Sequence, residues 1–242
     1  MKAIILAGGK GLRFRPLTDD KPKAMIAVNG KPIAEYQLEW LKRSSGELSE
    51  IIFACGHKWE KLEGHFGNQY HGTPVSYVVE KDALGTGGGL KNVLQNIDEL
   101  NDSCLVINGD ILTDLPVDKM LATHIANRTM ITMALIPYRS PFGVVRIDKL
   151  KMVRKFEEKP EFVDAWVNGG IYLLEPSKIE RFLPDNGDIE RETFPQLVER
   201  GEISSYPYYG FWRALDSIKD LKTVEGELLP LVQETPPSIK RN

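Results

Sequence analysis

The sequence predicts an α/β fold, in which a mixed, mostly parallel sheet is flanked by helices and carries a small antiparallel extension. Two observations lead to this prediction. Strand-like and helix-like segments alternate through the first half of the chain, and strand-like runs separated by short turns follow in the second half. Buried strands that alternate with helices form parallel sheets covered on both faces, whereas strands joined by short turns pair in antiparallel fashion.

In the first half, short apolar runs predict strands, and apolar residues at spacings of three and four predict helices. Ile33, Tyr36, Trp40 and Leu41 have this helical spacing, and Pro32 precedes them as the kind of residue that starts a helix. The predicted strands are 3–7, 51–54, 75–79 and 105–107, and the predicted helices are 32–43, 59–66 and 87–97.

The second half predicts a hairpin-like region that could enclose a second ligand, followed by helices. The strand-like runs are 130–136, 144–147, 152–156 and 167–174. Helices are predicted at 176–182, 189–199 and 217–228, with a short strand at 203–206. The polar, proline-containing segment 230–242 predicts a frayed tail.

Composition excludes several classes of protein. The 242 residues carry a formal net charge of -3, which is unsuited to a nucleic-acid-binding protein because it provides no excess of positive charge. No stretch approaches the ~20 apolar residues of a membrane span, and no signal peptide is evident, so we expect a cytoplasmic protein that binds no membrane. Cys55 and Cys104 lie in apolar runs and are predicted to be reduced and buried.

A glycine-rich turn follows the first predicted strand and indicates an anion site. Gly8, Gly9 and Gly11 leave room for backbone N–H groups to converge on phosphate, and cationic side chains follow closely. These cations are Arg13, Arg15, Lys21 and Lys23. Positive charge that is local in an otherwise acidic chain is typical of a site for a phosphorylated small molecule.

Two familiar phosphate-binding loops are absent. The P-loop pattern GxxxxGK[ST] does not occur in the chain. A dinucleotide fingerprint that starts at Gly9 would need glycine where Phe14 stands, and the expected acidic residue is missing after the second strand. A Rossmann-type dehydrogenase is therefore the least favoured reading.

The ordered motifs resemble those of the sugar-1-phosphate nucleotidylyltransferases, also called nucleotide-sugar pyrophosphorylases. The N-terminal segment is LAGGKGLRFRPLT at 6–18, followed by PK at 22–23 and GKP at 30–32. Later segments are LGTGG at 84–88, NGD at 108–110, FGVV at 142–145, EEKP at 157–160, NGGIY at 168–172 and FWRALD at 211–216. The resemblance covers residues 1 to 222 and implies a Rossmann-like fold of the nucleotide-diphospho-sugar transferase type.

Two positions depart from the family pattern. Leu12 stands where relatives usually have Thr or Ser, and Ile218 stands where they often have Gly. The first change removes a hydroxyl from the phosphate loop but leaves its backbone N–H in place. The second leaves the exact shape of the loop after Asp216 open.

The resemblance implies transfer of a nucleotidyl group from an NTP to a sugar-1-phosphate, with release of pyrophosphate. The attacking phosphate is already anionic, so the reaction needs no nucleophilic side chain, only positioning and charge neutralisation. Arg13 and Lys23 are the expected catalytic cations. Asp110 and Asp216 are the expected ligands of Mg²⁺, which carboxylates bind together with substrate phosphates.

Alternative roles stay open for several of these residues. Asn-Gly-Asp is also a common turn sequence, and Asp216 could be an N-cap of the last helix. The glycines at 87–89 could loosen a helix start rather than approach a base. The pair Glu158 and Lys159 could belong to a solvated surface.

The resemblance assigns the nucleotide and the sugar to different segments. The expected nucleotide-binding residues are Leu6, Ala7, Gly8, Gly9, Gly11, Gly85, Thr86 and Gly109. The expected sugar-phosphate-binding residues are Gly143, Glu158, Lys159 and Asn168. It further implies one domain over residues 1–242, with a nucleotide half at 1–128, a sugar half at 129–228 and a tail at 229–242.

The favoured substrates are GTP and mannose- or heptose-1-phosphate. Cytidylyl, uridylyl and thymidylyl transfer to glucose-1-phosphate are the alternatives. A non-catalytic subunit that senses sugar nucleotides, and a transferase for a pterin or amino-alcohol phosphate, are also weighed. Assembly into a homo-oligomer is compatible with the sequence.

Overall fold

The computed structural model describes residues 1–46, 48–97 and 103–233. Its strands are β1 (Lys2–Ala7), β2 (Ala27–Val28), β3 (Lys31–Pro32), β4 (Glu50–Cys55), β5 (Gln69–Tyr70), β6 (Thr73–Val79), β7 (Cys104–Asn108), β8 (Ile111–Thr113), β9 (Ile131–Arg139), β10 (Val144–Ile147), β11 (Val153–Glu157), β12 (Glu161–Leu174), β13 (Ile203–Pro207) and β14 (Trp212–Ala214). Its helices are α1 (Ile33–Ser44), α2 (Glu60–Phe66), α3 (Gly85–Asn96), α4 (Val117–Asn127), α5 (Pro176–Ile179), α6 (Ile189–Glu199) and α7 (Ile218–Gln233).

An eight-stranded mixed sheet has the strand order β13-β9-β12-β7-β1-β4-β6-β5. The four strands β7, β1, β4 and β6 are parallel to one another, so their carboxyl ends lie at one edge. Strand β12 runs antiparallel to β7 and β9. The predicted mixed, mostly parallel sheet is confirmed, and the segments after β1, β6 and β7 start from the same edge as expected.

Side chains of the central strands alternate between two apolar cores. Ile5 of β1 packs on one face with Leu38 of α1, and Ile4 packs on the other with Leu90 of α3. All four side chains are fully buried. Burial on both faces explains the continuous apolar run at 3–7, which one-sided burial would have interrupted with polar residues.

The second half of the chain differs from the prediction in how its strands are used. Strands β9, β12 and β13 join the main sheet, and β13 pairs in parallel with β9. Of the predicted antiparallel extension, the hairpin β10–β11 remains as a separate two-stranded unit. The predicted strands are present and pair in antiparallel fashion, β9 with β12 and β10 with β11, but local sequence did not indicate that β9 and β12 belong to the main sheet.

Two helices also differ from the prediction. Helix α4 was not predicted, although Val117, Met120 and Leu121 have the apolar spacing of a helix and His124 continues its buried face. Helix α7 starts at Ile218 and continues to Gln233, so residues 230–233 of the segment predicted to fray are helical. Residues 234–242 of that tail lie outside the described residues.

A third apolar cluster ties the last helix to the N-terminal third of the chain. Its buried members include Phe14, Val28, Leu215 and Val224. This cluster places the loop after β1 beside the start of α7, although about 200 residues separate them in sequence.

The two cysteines are free and buried, as predicted. Within the part of the chain that the structure describes, no helix is long and apolar enough to cross a membrane.

Candidate active site

The loop after β1 is shaped by one glycine in a left-handed conformation. Gly11 has φ of +60°, and its carbonyl accepts a hydrogen bond from the Thr18 hydroxyl at 2.9 Å. A Cβ at this position would lie 2.9 Å from Thr18 Cγ2 and 3.2 Å from Lys23 Cβ. The absence of a side chain therefore lets Lys23 pack against the loop. Leu12, the departure from the family pattern, is exposed.

Burial of Phe14 determines where its neighbour Arg13 stands. Phe14 is almost fully buried, whereas the side chain of Arg13 is 74% exposed at the surface of the loop. The Lys23 ammonium lies 4.9 Å from the centroid of the Phe14 ring, a distance at which a cation is attracted to an aromatic face. One aromatic side chain thus anchors the segment that carries both predicted catalytic cations.

Pairing of β8 with β14 brings the two predicted metal ligands together. Ala214 pairs with Ile111 in antiparallel register, and the Leu215 N–H donates to the Asp110 carbonyl at 2.9 Å. Leu215 is fully buried, so its neighbour Asp216 is held next to Asp110. The sequence did not reveal this pairing, because both strands have only three residues.

The four side chains predicted for catalysis and metal binding form one charged cluster. Lys23 Nζ lies 2.6 Å from Asp110 Oδ2 and 3.9 Å from Asp216 Oδ1. Arg13 Nη2 lies 3.0 Å from Asp216 Oδ1. The Lys23 side chain is only 17% exposed, so its ion pair with Asp110 is shielded from solvent more than that of Arg13.

Asp216 does not cap the last helix. Helix α7 begins at Ile218. The hydrogen bonds at its start are formed by the carboxylate of Asp220, which accepts from the Asp216 N–H at 3.0 Å and from the Ser217 hydroxyl at 2.8 Å. The carboxylate of Asp216 is directed to Arg13. The capping alternative is wrong, and this carboxylate is free to act in the charged cluster.

The donor set of the cluster suits a hard cation. Among the described residues, no group of three or more His, Cys, Asp or Glu side chains converges on a metal site. Asp110 and Asp216 nevertheless both face one positive group, the Lys23 ammonium. Mg²⁺ is commonly bound by one or two carboxylates with substrate phosphates completing its shell, so this pair fits such an ion.

The predicted nucleotide-binding residues around β1 lie next to this cluster. The Gly109 N–H donates to the Leu6 carbonyl at 2.9 Å, and a Cβ on Gly109 would lie 2.7 Å from that oxygen. Glycine is therefore required directly after β7, where the chain lies against the end of the neighbouring strand β1. The exposed Gly9 has open space where a Cβ would stand.

Residues 84–88 form hydrogen bonds and close contacts with the segment that leads into α6. The Gly187 carbonyl accepts from the N–H groups of Gly87 at 2.9 Å and Gly88 at 3.2 Å. Thr86 donates its hydroxyl to Glu190 at 2.6 Å. A Cβ on Gly85 would collide with Gly187. Close packing of α3 against the start of α6 accounts for these glycines and for the Thr86 hydroxyl.

The predicted sugar-binding residues lie on the hairpin and on β12. A Cβ on Gly143 would lie 2.9 Å from Glu158 Oε2, so these two residues are neighbours. Lys159 has φ of +47°, and no hydrogen bond or ion pair joins its side chain to another described residue. Asn168 donates to the Tyr172 hydroxyl at 2.8 Å and accepts from the Gly170 N–H at 2.9 Å, so its amide stabilises the strand itself.

Comparison with known proteins identifies the family. A family model described as Nucleotidyl transferase matches residues 2–229. The chain belongs to the nucleotidyl transferase family. This nucleotidyl transferase is 32% identical over 242 residues to the mannose-1-phosphate guanylyltransferase of Mycobacterium tuberculosis, covering 97% of the chain and 66% of the relative.

Two other relatives show the same level of similarity. The mannose-1-phosphate guanyltransferase of Pichia angusta is 33% identical over 228 residues, which is 91% of this nucleotidyl transferase and 62% of the relative. The D-glycero-alpha-D-manno-heptose 1-phosphate guanylyltransferase of Aneurinibacillus thermoaerophilus is 33% identical over 213 residues, which is 87% of this nucleotidyl transferase and 89% of the relative. The chain thus spans about two thirds of the mannose-related proteins and most of the heptose-related one.

A solved structure confirms the fold. The HddC protein of Yersinia pseudotuberculosis superposes with a TM-score of 0.74 at 23% identity, over 94% of this nucleotidyl transferase and 99% of that chain. At this identity the likeness concerns the arrangement of strands and helices rather than substrates.

Proposed function

We propose that this nucleotidyl transferase transfers a guanylyl group from GTP to mannose- or heptose-1-phosphate, and releases pyrophosphate. The observation that carries the proposal is the convergence of Arg13, Lys23, Asp110 and Asp216 at the carboxyl edge of the sheet. The guanylyltransferase names of the relatives support the choice of GTP.

The chain's own residues act by positioning and charge. A sugar phosphate oxygen attacks the α-phosphorus of the nucleotide, the bond to the β-phosphate oxygen breaks, and pyrophosphate departs with that electron pair. The nucleophile is already deprotonated at neutral pH, so no side chain has to remove a proton. In this proposal Arg13 binds the departing phosphates through its planar guanidinium, and Lys23 neutralises charge near the reacting phosphorus.

We further propose that Asp110 and Asp216 hold Mg²⁺ together with the nucleotide. When bound, the ion would neutralise charge on the triphosphate and on the pyrophosphate that leaves it. The sugar phosphate is expected at the hairpin side, near Gly143, Glu158 and Lys159. A cytoplasmic location and a homo-oligomeric state stay predictions.

A substrate matrix tests the proposal. The purified chain is incubated with each of five nucleoside triphosphates and several sugar-1-phosphates, with and without Mg²⁺, and pyrophosphate release is measured. We expect release with GTP and mannose- or heptose-1-phosphate that depends on Mg²⁺. Turnover with a pyrimidine nucleotide and glucose-1-phosphate would reassign the substrates, and tight binding of a GDP-sugar without any release would indicate a sensing subunit.

Substitution of Asp110 by Asn tests the role of the cluster. The variant keeps the size of the side chain but removes the charge that pairs with Lys23 and is proposed to hold Mg²⁺, so turnover should fall by about 100-fold or more. Asp118→Asn is the matched control, because Asp118 is a carboxylate of α4 that bonds the Gly46 N–H instead. If Asp110→Asn turned over substrate as fast as Asp118→Asn, the assignment of Asp110 to the active site would be wrong.

A further inference from the structure

The hairpin of β10 and β11 stands apart from the main sheet. It forms a two-stranded sheet of its own, and none of its residues belongs to the three apolar clusters of the described chain. Every residue from 145 to 156 except Asp148 is exposed. A two-stranded hairpin is at best marginally stable in water, so we expect this one to be stabilised by a further contact.

One face of the hairpin is apolar. Val145 pairs with Phe156, and Ile147 pairs with Val153. Val145 and Ile147 are two positions apart on β10, so they and their partners lie on the same face. The register shift next to Ile147 accounts for the spacing of three between Val153 and Phe156. These four side chains are 47% to 63% exposed, so nothing in the described chain covers the face.

The charged side chains of the strands lie away from this face. Arg146 pairs in register with Lys155, so both project from the opposite face. Lys155 forms an ion pair with Glu157 at 2.8 Å, and Arg154 forms one with Asp148 at 2.7 Å beside the turn. A molecule that covers the two apolar pairs therefore buries no unpaired charge between them.

The apolar face is large enough for a stable interface. Phe142, which precedes β10, is 76% exposed, and Leu150 and Met152 in the turn are 80% and 58% exposed. At about 100 Å² each, these three and the four strand residues expose roughly 700 Å², close to the ~800 Å² that each partner contributes to a standard interface. Contiguous apolar surface of this extent is typical of a docking site.

The charges at the two ends of the hairpin are of opposite sign, which favours a second copy as the occupant. Lys149 and Lys151 in the turn are exposed and form no ion pair with another described residue. Glu157 and Glu158 stand at the other end, where β11 ends. Two hairpins packed face to face in opposite directions place the turn of each at the base of the other, so both lysine pairs approach glutamates.

We propose that two copies of the chain associate through the apolar faces of their β10–β11 hairpins, related by a two-fold axis and running in opposite directions. The pairing makes a small two-layered β-structure whose interior is formed by Val145, Ile147, Val153 and Phe156. It does not depend on the proposed function. Its consequence for the sugar phosphate does depend on it, because the hairpin carries Gly143, Glu158 and Lys159 at its base, and the second copy would hold that base in place.

The first test measures molecular mass by analytical ultracentrifugation over a range of protein concentrations. Wild-type protein should have twice the mass of the chain at micromolar concentration, and Ile147→Asp should raise the Kd of the dimer by about 100-fold, because it buries a charge in the interface. Ile125→Asp is the matched control, since Ile125 of α4 is 63% exposed and Ile147 is 61% exposed. It should retain the wild-type Kd.

The second test exchanges the charges at the two ends, away from the apolar face. Lys149→Glu with Lys151→Glu, and separately Glu157→Lys with Glu158→Lys, should each weaken self-association about tenfold, because like charges then meet. An equimolar mixture of the two variants should restore association, since each turn again meets a base of opposite charge. A mixture that associates no better than either variant alone would overturn the antiparallel arrangement.

Three outcomes overturn the hairpin interface itself. These are a wild-type protein that stays monomeric up to about 100 μM, a dimer that Ile147→Asp leaves as tight as Ile125→Asp does, and a monomer that binds phosphatidylserine vesicles through Ile147. If the dimer forms and the KM for the sugar phosphate falls several-fold as it does, the consequence for the sugar side is supported. If the dimer forms but no pyrophosphate is released, the proposed function fails and the interface stands.

Discussion

At the scale of single residues, two lysines two positions apart have different surroundings. Lys23 is held between two carboxylates and against Phe14. Lys21 instead lies on another part of the surface, beside Asp20 and Glu60. Both lysines follow the glycine loop in sequence, so only the fold around Phe14 and Asp110 separates their roles.

Lys23→Met should therefore reduce kcat/KM by about 100-fold or more, because the methionine keeps the bulk of the side chain but not its charge. Lys21→Met is the matched control, and we expect it to lie within threefold of wild type. The kcat/KM of both variants is measured from pyrophosphate release with the best pair of substrates. Equal losses in the two variants would mean that general surface charge, rather than the cluster, attracts the nucleotide.

Lys159 is the cation predicted to bind the sugar phosphate, and its side chain is not paired with another described residue. Lys159→Ala should raise the KM for the sugar phosphate by roughly tenfold while kcat changes little, as expected if the lysine binds the ground and transition states alike. Lys155→Ala is the control, because Lys155 of β11 is paired with Glu157 at 2.8 Å. An unchanged KM in Lys159→Ala would contradict the assignment.

At the scale of elements, a bulge interrupts the pairing of β12 with β9. The register against β9 shifts between Asn168 and Tyr172. Gly170 has φ of +66° at this point, and its N–H donates to the Asn168 side chain. Asn168 and Gly170 thus form the bend of the strand, which is a structural reason for the NGGIY pattern in addition to the predicted contact with sugar.

Gly170→Ala should lower the free energy of unfolding by about 1–3 kcal/mol, because alanine is strained at this φ and its Cβ would lie 2.9 Å from Asn108 Nδ2. Gly64→Ala is the opposite case, since Gly64 lies in α2 with open space around a Cβ. That variant should be stabilised by roughly 0.5–1 kcal/mol. Urea unfolding measures both, and the same sign of change in the two variants would contradict the argument.

At the scale of the whole molecule, one buried histidine links stability to pH. His124 of α4 is 2% exposed and contacts the Thr132 hydroxyl at 2.8 Å and Glu175 at 3.2 Å. Burial lowers the pKa of His124 below its ordinary value of 6.5, although the Glu175 carboxylate acts in the opposite direction. The unfolded chain therefore takes up this proton at higher pH than the native protein does.

It follows that the contribution of His124 to stability is present above pH 6.5 and declines as the pH falls below that value. His124→Gln should be less stable than wild type at pH 7.5, because it loses buried contacts, but its stability should decline less between pH 6.5 and 5. The difference in slope is at most about 1.4 kcal/mol per pH unit, the limit for one proton. Urea unfolding at constant ionic strength measures it, and a steeper decline in the variant would reverse the assigned direction.

The amino-acid sequence by itself determined the elements and motifs that local chemistry controls. The apolar run of β1, the glycine turn after it and Asp110 at the end of β7 could all be predicted, because strand, turn and edge position depend on neighbouring residues. The family motifs added Arg13, Lys23 and Asp216, whose side chains lie together with Asp110 in the structure, while their roles stay predictions.

The tertiary structure alone decided which distant residues became neighbours. Pairing of three-residue strands placed Asp216 beside Asp110, and burial of Phe14 with Leu215 joined segments about 200 residues apart. Such contacts arise from long-range packing and strand register, which leave little trace in any short stretch of sequence.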